Sequence, residues 1–181
     1  KRLEGKRAIV TGGASGFGAG IARRFTEEGT RVIVADLNGE AARALAAELG
    51  DEALGVKVDV ASAADVAALA ETANRLLGGV DIVVNNAGVG HTPQPLDELS
   101  DEMFDRIFNV NARSIYLMSK AFVPGMKAQG SGAILNIAST GGVSPRPNLT
   151  WYNASKGWVI TATRAMAVEL APFQVRVNAL N

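Results

Sequence analysis

The chain has 181 residues, with 18 Lys and Arg against 18 Asp and Glu, no Cys and one His. Zero net charge without a basic run argues against nucleic acid as a partner, and the missing thiols exclude disulfides, zinc–thiolate and iron–sulfur centres and a cysteine nucleophile. A single imidazole, His91, cannot build a multi-His metal site, so no metal is expected and acid–base work falls to another side chain.

At this length one domain with a sizeable core is expected, covering residues 1–181. No segment approaches the roughly 18 consecutive apolar residues of a membrane span, and residues 1–7 have no apolar stretch for a signal peptide. The expectation is a cytoplasmic globular protein with no membrane partner.

Residues 8–10 read as a first strand and 16–28 as a helix with Ile21, Ala22 and Phe25 on one face. Between them runs Thr11-Gly12-Gly13-Ala14-Ser15-Gly16-Phe17-Gly18. Glycines suit such a turn when the backbone must take positive φ and approach a pyrophosphate, with the helix N-terminus supplying free N–H groups and a positive dipole. Residues 31–36 form a second strand ending in Asp36, 18 residues past Gly18. An acidic side chain there accepts hydrogen bonds from adenosine ribose hydroxyls. It also repels a 2′-phosphate: like charges at about 4 Å and an effective dielectric of ~20 cost on the order of 4 kcal/mol, which favours NAD over NADP.

Residues 40–49 read as an Ala-rich helix and 53–58 as a third strand, with Asp59 and Val60 at its end. A helix over 62–77 carries Val66, Leu69, Ala73 and Leu76 in one stripe, with Ser62 as its N-cap. A fourth strand, 80–84, ends in Asn85-Asn86-Ala87-Gly88, where the Asn pair can also serve local turn hydrogen bonds. The following loop holds His91, near the expected substrate side; it reads as a solvent-exposed loop residue, with a substrate contact as the alternative. A long helical stretch over 100–126 contains Asn111, and a fifth strand, 132–137, precedes Ser139. Arg146 lies between Ser139 and Tyr152 and reads either as a substrate contact or as a loop brace. A helix over 152–170 is stopped by Pro172, and 175–180 is a sixth strand.

Val- and Ile-rich strands separated by helices mean a parallel sheet covered on both faces. Six such units in series define a single doubly wound Rossmann-type α/β domain, with the strand ends named above on its ligand-binding carboxyl edge.

Tyr152 and Lys156 are four apart and share one helix face. Singly, a helical Tyr/Lys pair, a turn serine or a helix-bending Asn is ordinary packing. Together, Thr11-Gly12-x-x-x-Gly16-x-Gly18, Asn86-Ala87-Gly88, Asn111, Ser139 and Tyr152-x-x-x-Lys156 resemble the short-chain dehydrogenase/reductase family, in order and over nearly the whole chain. The resemblance implies an NAD(H)-dependent oxidoreductase interconverting a secondary alcohol and a ketone. It implies Tyr152 as acid/base, Lys156 as its electrostatic partner and holder of the nicotinamide ribose, Ser139 on the substrate oxygen and Asn111 holding a relay water. A free phenol titrates near ~10. An ammonium ~5 Å away at an effective dielectric of ~20 supplies roughly 3 kcal/mol toward its ionisation. The resemblance also assigns cofactor binding to Gly12, Ser15, Gly16, Phe17, Gly18, Asp36, Asp59, Val60, Asn86, Ala87, Gly88, Tyr152 and Lys156.

Two other functions remain open: a 3-oxoacyl-acyl-carrier-type reductase, which Asp36 disfavours because such reductases more often use NADPH, and a non-catalytic dinucleotide-binding fragment. The resemblance places a Pro-Gly segment, a substrate lid and a seventh strand after the sixth. Against it, the domain reads as C-terminally incomplete. The helices over 100–126 and 152–170 are apolar on several sides, and one sheet face cannot cover both sides of a helix. They are therefore expected to pair with a second copy, giving a homodimer or homotetramer.

Overall fold

The computed structural model describes residues 1–181. Six strands, β1 (Arg7–Thr11), β2 (Arg31–Asp36), β3 (Ala53–Lys57), β4 (Ile82–Asn85), β5 (Gly132–Ile137) and β6 (Val175–Leu180), form one sheet in the order β3-β2-β1-β4-β5-β6. Every pairing is parallel. Six helices connect them: α1 (Gly16–Glu27), α2 (Gly39–Leu49), α3 (Ala63–Leu77), α4 (Asp101–Phe108), α5 (Ser114–Gln129) and α6 (Thr150–Leu170).

Alternate strand residues point to opposite faces, and both faces are apolar. Val10, Val32, Val34 and Val84 pack against Ala22 of α1 and Ala42 and Leu45 of α2. On the other face Ile9, Ile33, Val83 and Ile134 pack against Leu69 of α3 and Met118, Phe122 and Met126 of α5, with Leu170 of α6 closing the end. The expected doubly wound domain is therefore observed. The sheet order reverses between β1 and β4, so the loops leaving their carboxyl ends diverge and open a crevice, the binding position of this architecture.

Local signals place the helix ends. Ser62 caps α3 by accepting the Asp65 N–H at 3.2 Å, and Gly78 ends it in the left-handed region at φ 72°. The fourth strand begins two residues later than expected, at Ile82, where pairing with Ala8 of β1 begins. The stretch expected as one helix over 100–126 is instead α4, a π turn at Asn109–Arg113 and α5. The wider turn accommodates an inward-facing Asn111, 2% exposed, whose side chain bonds to other elements.

Candidate active site

Two adjoining cavities open at the crevice. One, of about 500 Å³, is lined by Gly12, Ser15, Asp36, Asp59, Val60 and Ala87. The other, of about 820 Å³, is lined by Phe17, His91, Ser139, Leu149, Tyr152 and Lys156. Asn86, Gly88 and Val89 belong to both walls, so the end of β4 is the partition between them.

The glycine loop is shaped by close approach. Gly12 stands at φ +58°, and a Cβ there would meet Ala87 Cα at 2.9 Å. A Cβ on Gly18 would lie 2.1 Å from the Gly12 carbonyl oxygen. Gly16 is different: it needs its φ of +51°, with open space where a side chain would go. Ser15 is the N-cap of α1 but makes no capping bond, and no acidic residue stands in the first turn. The first N–H groups of α1 thus keep their donor capacity at the positive end of the helix dipole, which fits a pyrophosphate. Neither Gly16 nor Gly18 lines these two cavities; they set the backbone that does.

Thr11 and Asn86 lock this loop to β4. Thr11 Oγ1 accepts the N–H groups of Asn86 at 3.1 Å and Ala87 at 3.2 Å. Asn86 Nδ2 donates to the carbonyls of Thr11 and Gly12, at 3.0 and 2.9 Å. The Asn86 amide therefore holds the two strand ends together across the sheet.

Asp36 is fixed by two backbone donors, Ala14 N–H on one oxygen at 3.0 Å and Asn38 N–H on the other at 2.9 Å. Each oxygen keeps acceptor capacity toward the cavity. Lys57, its neighbour in the β2–β3 register, runs under α2 at Gly39 and does not line the cavity. The sequence reading did miss Arg106, which lines this cavity with Asn109 and Val110. Their spacing, three and four residues apart on the stretch already singled out for Asn111, was the available signal.

In the second cavity, Ser139 caps a short 3₁₀ turn, its Oγ accepting the Gly141 N–H at 3.1 Å. Its O–H is left free to donate. Tyr152 is half-buried, and its ring borders Gly90, where an added Cβ would sit 3.7 Å from the ring edge. Lys156, one helical turn on, is buried and donates to the Ile137 carbonyl at 2.9 Å. Burial pushes its pKa down from the ordinary 10.5 to about 8.

Asn111 lines neither cavity. Its Oδ1 accepts the Val89 N–H at 2.8 Å, and its Nδ2 donates to the Val89 carbonyl at 2.9 Å and to Ser155 Oγ at 3.0 Å. Both amide hydrogens are thus committed, so a relay water at this side chain would have to donate to Oδ1. Ser155 was not singled out from the sequence, because a serine inside a helix carries no signal of its own.

His91, expected to be exposed, is partly buried at the second cavity. Its Nδ1 donates to the Thr92 carbonyl at 2.9 Å and its Nε2 is buried without a partner. Arg146 does not reach that cavity. It lines a separate depression with Gly142 and Thr150, and its carbonyl accepts a bond from Asn153 Nδ2 at 2.8 Å, so its main chain serves as a brace.

Comparison with known proteins agrees with this geometry. The sequence family described as short chain dehydrogenase matches residues 6–181. The chain is 48% identical over 177 residues to 4-formylbenzenesulfonate dehydrogenase TsaC1/TsaC2 of Comamonas testosteroni, covering 96% of this chain and 70% of that protein. A crystal structure of 3-ketoacyl-(acyl-carrier-protein) reductase from Brucella melitensis complexed with NADH superposes with a TM-score of 0.97 at 50% identity, covering 99% of this chain and 75% of that one. An NAD⁺-bound xylitol dehydrogenase superposes at 0.94 with 35% identity, covering 99% and 70%. The chain belongs to the short-chain dehydrogenase family.

Proposed function

We propose that this protein is an NAD(H)-dependent oxidoreductase interconverting a secondary alcohol and a ketone, with Tyr152 as its acid/base. One observation carries the reading: Ser139, Tyr152 and Lys156 line a single cavity that adjoins the Gly-loop and Asp36 cavity through the end of β4. The residues fit a dinucleotide. Gly12, Ser15 and Phe17 would hold the pyrophosphate at the uncapped start of α1, on the backbone that Gly16 and Gly18 shape. Asp36 would accept the adenosine ribose hydroxyls, with Asp59 and Val60 beside the base. Asn86, Ala87 and Gly88 would shape the passage to the second cavity, where Tyr152 and Lys156 would hold the second ribose. NAD would supply the hydride chemistry there.

The proton is handled by the chain. In the oxidation direction Tyr152 Oη takes the hydroxyl proton of the substrate, and in reduction it gives that proton to the carbonyl oxygen. Lys156, when protonated, keeps two hydrogens beyond its bond to Ile137, free to donate into the cavity that it lines with Tyr152. The Ser139 Oγ already accepts from Gly141, so its hydrogen is free for the substrate oxygen and stabilises charge building there. General acid–base help of this kind is worth about 10²–10⁴-fold.

A second reading has an observation of its own: the Brucella neighbour at 50% identity is a 3-ketoacyl-(acyl-carrier-protein) reductase complexed with NADH. Asp36 therefore does not stand against a 3-oxoacyl thioester substrate here. The two readings share one reaction class and are separated by substrate.

Cytoplasmic action is part of the same proposal, supported by a cysteine-free sequence that suits a reducing compartment. So is pairing with a second copy. Ala154, Trp158, Thr161, Ala165 and Val168 are exposed at three- and four-residue spacing along α6, a continuous stripe of small and apolar side chains.

The test is absorbance at 340 nm with NAD⁺ or NADP⁺ and a panel of xylitol, simple secondary alcohols and a 3-hydroxyacyl thioester. NAD⁺ should give the faster rate, and Tyr152→Phe should lose at least about 10²-fold in kcat. Undiminished turnover by Tyr152→Phe would refute the mechanism.

A further inference from the structure

The proposal rests on reading Tyr152 and Lys156 as the acid–base pair, and concerns what holds that pair in place. Ser155 is fully buried on the helical turn between them. Its Oγ donates to the Tyr152 carbonyl at 2.7 Å and accepts from Asn111 Nδ2 at 3.0 Å. Asn111 in turn grips both main-chain groups of Val89, as a neighbouring strand would. The residues on either side of Val89 face the pair with no room to spare for a side chain. A Cβ on Gly88 would be 3.3 Å from Lys156 Nζ and 3.4 Å from Asn111 Oδ1, and one on Gly90 would be 3.7 Å from the Tyr152 ring. These contacts form a closed circuit from the Tyr152 carbonyl through Ser155, Asn111 and Val89 back to the Tyr152 ring.

We propose that Ser155 is a positioning residue: acting through Asn111, it sets the loop 88–90 beside Tyr152 and Lys156 and so fixes how the two side chains stand in the cavity. Three features distinguish this hydroxyl from a generic helix serine. It bonds two residues of the site rather than only its own helix. It is the acceptor for the last hydrogen of Asn111. It joins α6 to the π turn, the one irregularity in the long helical stretch, and such turns recur at functional sites.

Serine-to-alanine change removes one atom from the core and breaks the circuit at its start. Ser155→Ala should lower kcat roughly tenfold, short of the hundredfold that a 1 Å misplacement of reacting groups can cost. The KM for NAD⁺ should stay near its wild-type value, because Ser155 lines neither cavity. The pH dependence of kcat should shift as well, since moving the loop at Gly88 changes the burial of Lys156. Ser155→Cys leaves no void but hydrogen-bonds poorly, so it should follow Ser155→Ala in kcat. In an Asn111→Ala background Ser155→Ala should have no further effect, because the two act in series.

The measurements are kcat, KM and pH profiles with NAD⁺ and the fastest alcohol of the panel, together with melting curves. Variants that melt earlier but keep wild-type kcat and pH profile at a temperature well below melting overturn the proposal, as do additive losses in the double variant. Both outcomes leave the acid–base reading standing so long as Tyr152→Phe is inactive. Full activity of Tyr152→Phe would overturn both together.

Discussion

Lys156 shows how position alone changes a side chain's chemistry. In solution its ammonium persists to about pH 10.5, but burial brings this to about 8 in the folded protein. Between those values the unfolded chain binds the proton and the folded one does not. The cost of burying the charge is therefore fully present below pH 8 and is relieved as pH rises toward 10.5. We expect the wild type to gain on Lys156→Met over this window, by up to about 1.4 kcal/mol per pH unit, in urea unfolding of the ligand-free protein. A difference that stays level across the window would mean that Lys156 is ionised in the core. The residue types at the candidate site were legible in the sequence, since Ser139, Tyr152 and Lys156 stand in this order after a glycine loop. Their partners were not. That Asn86 bonds Thr11 and Gly12, and that Asn111 bonds Val89 and Ser155, depends on contacts between residues 22 to 75 apart.

The elements divide in the same way. Ser62 and Gly78 announce the ends of α3 through capping chemistry that is local in sequence. The π turn at Asn109–Arg113 has no such signal, because its surroundings keep ordinary helical spacing and only the burial of Asn111 against Val89, in the loop after β4, and Ser155 of α6 interrupts the helix. The β1–α1 junction is the most tightly built element of the site. Gly18→Ala would drive a methyl group to within 2.1 Å of the Gly12 carbonyl and 2.6 Å of Asn86 Nδ2. It should cost about 1–3 kcal/mol of stability, as overpacking does, and weaken NAD binding more than it weakens the fold. Thermal melts with and without NAD⁺ would show this as a lost ligand-induced shift. An undiminished shift would mean that the loop can relax around the methyl.

At the scale of the molecule, the sheet has unequal cover. Helices α1 and α2 lie on one face over β1, β2 and β3, while on that same face Leu135 and Ile137 of β5 are only half-buried and Leu180 of β6 is 59% exposed. On the opposite face α6 shields β6 but leaves its own outer stripe bare, with Trp158 40% and Val168 78% exposed. Charge within that stripe should oppose pairing. Light scattering at micromolar concentration should report a multiple of the chain mass for the wild type and a lower mass for Trp158→Glu with Val168→Glu. A monomeric wild type would remove the pairing proposal and leave the stripe as plain apolar surface.

By itself the sequence determined the strand and helix alternation, the parallel doubly wound sheet and most of the residues that line the candidate site. Each of these is written in local periodicity, in glycine at positions of restricted φ, or in the spacing of two groups on one helix. Only the tertiary structure decided which of those residues share a cavity, how burial lowers Lys156, and that Arg146 stays outside while Arg106 comes in. Desolvation and hydrogen-bond closure depend on what the fold brings alongside a residue, and a residue's neighbours across a sheet are not its neighbours along the chain.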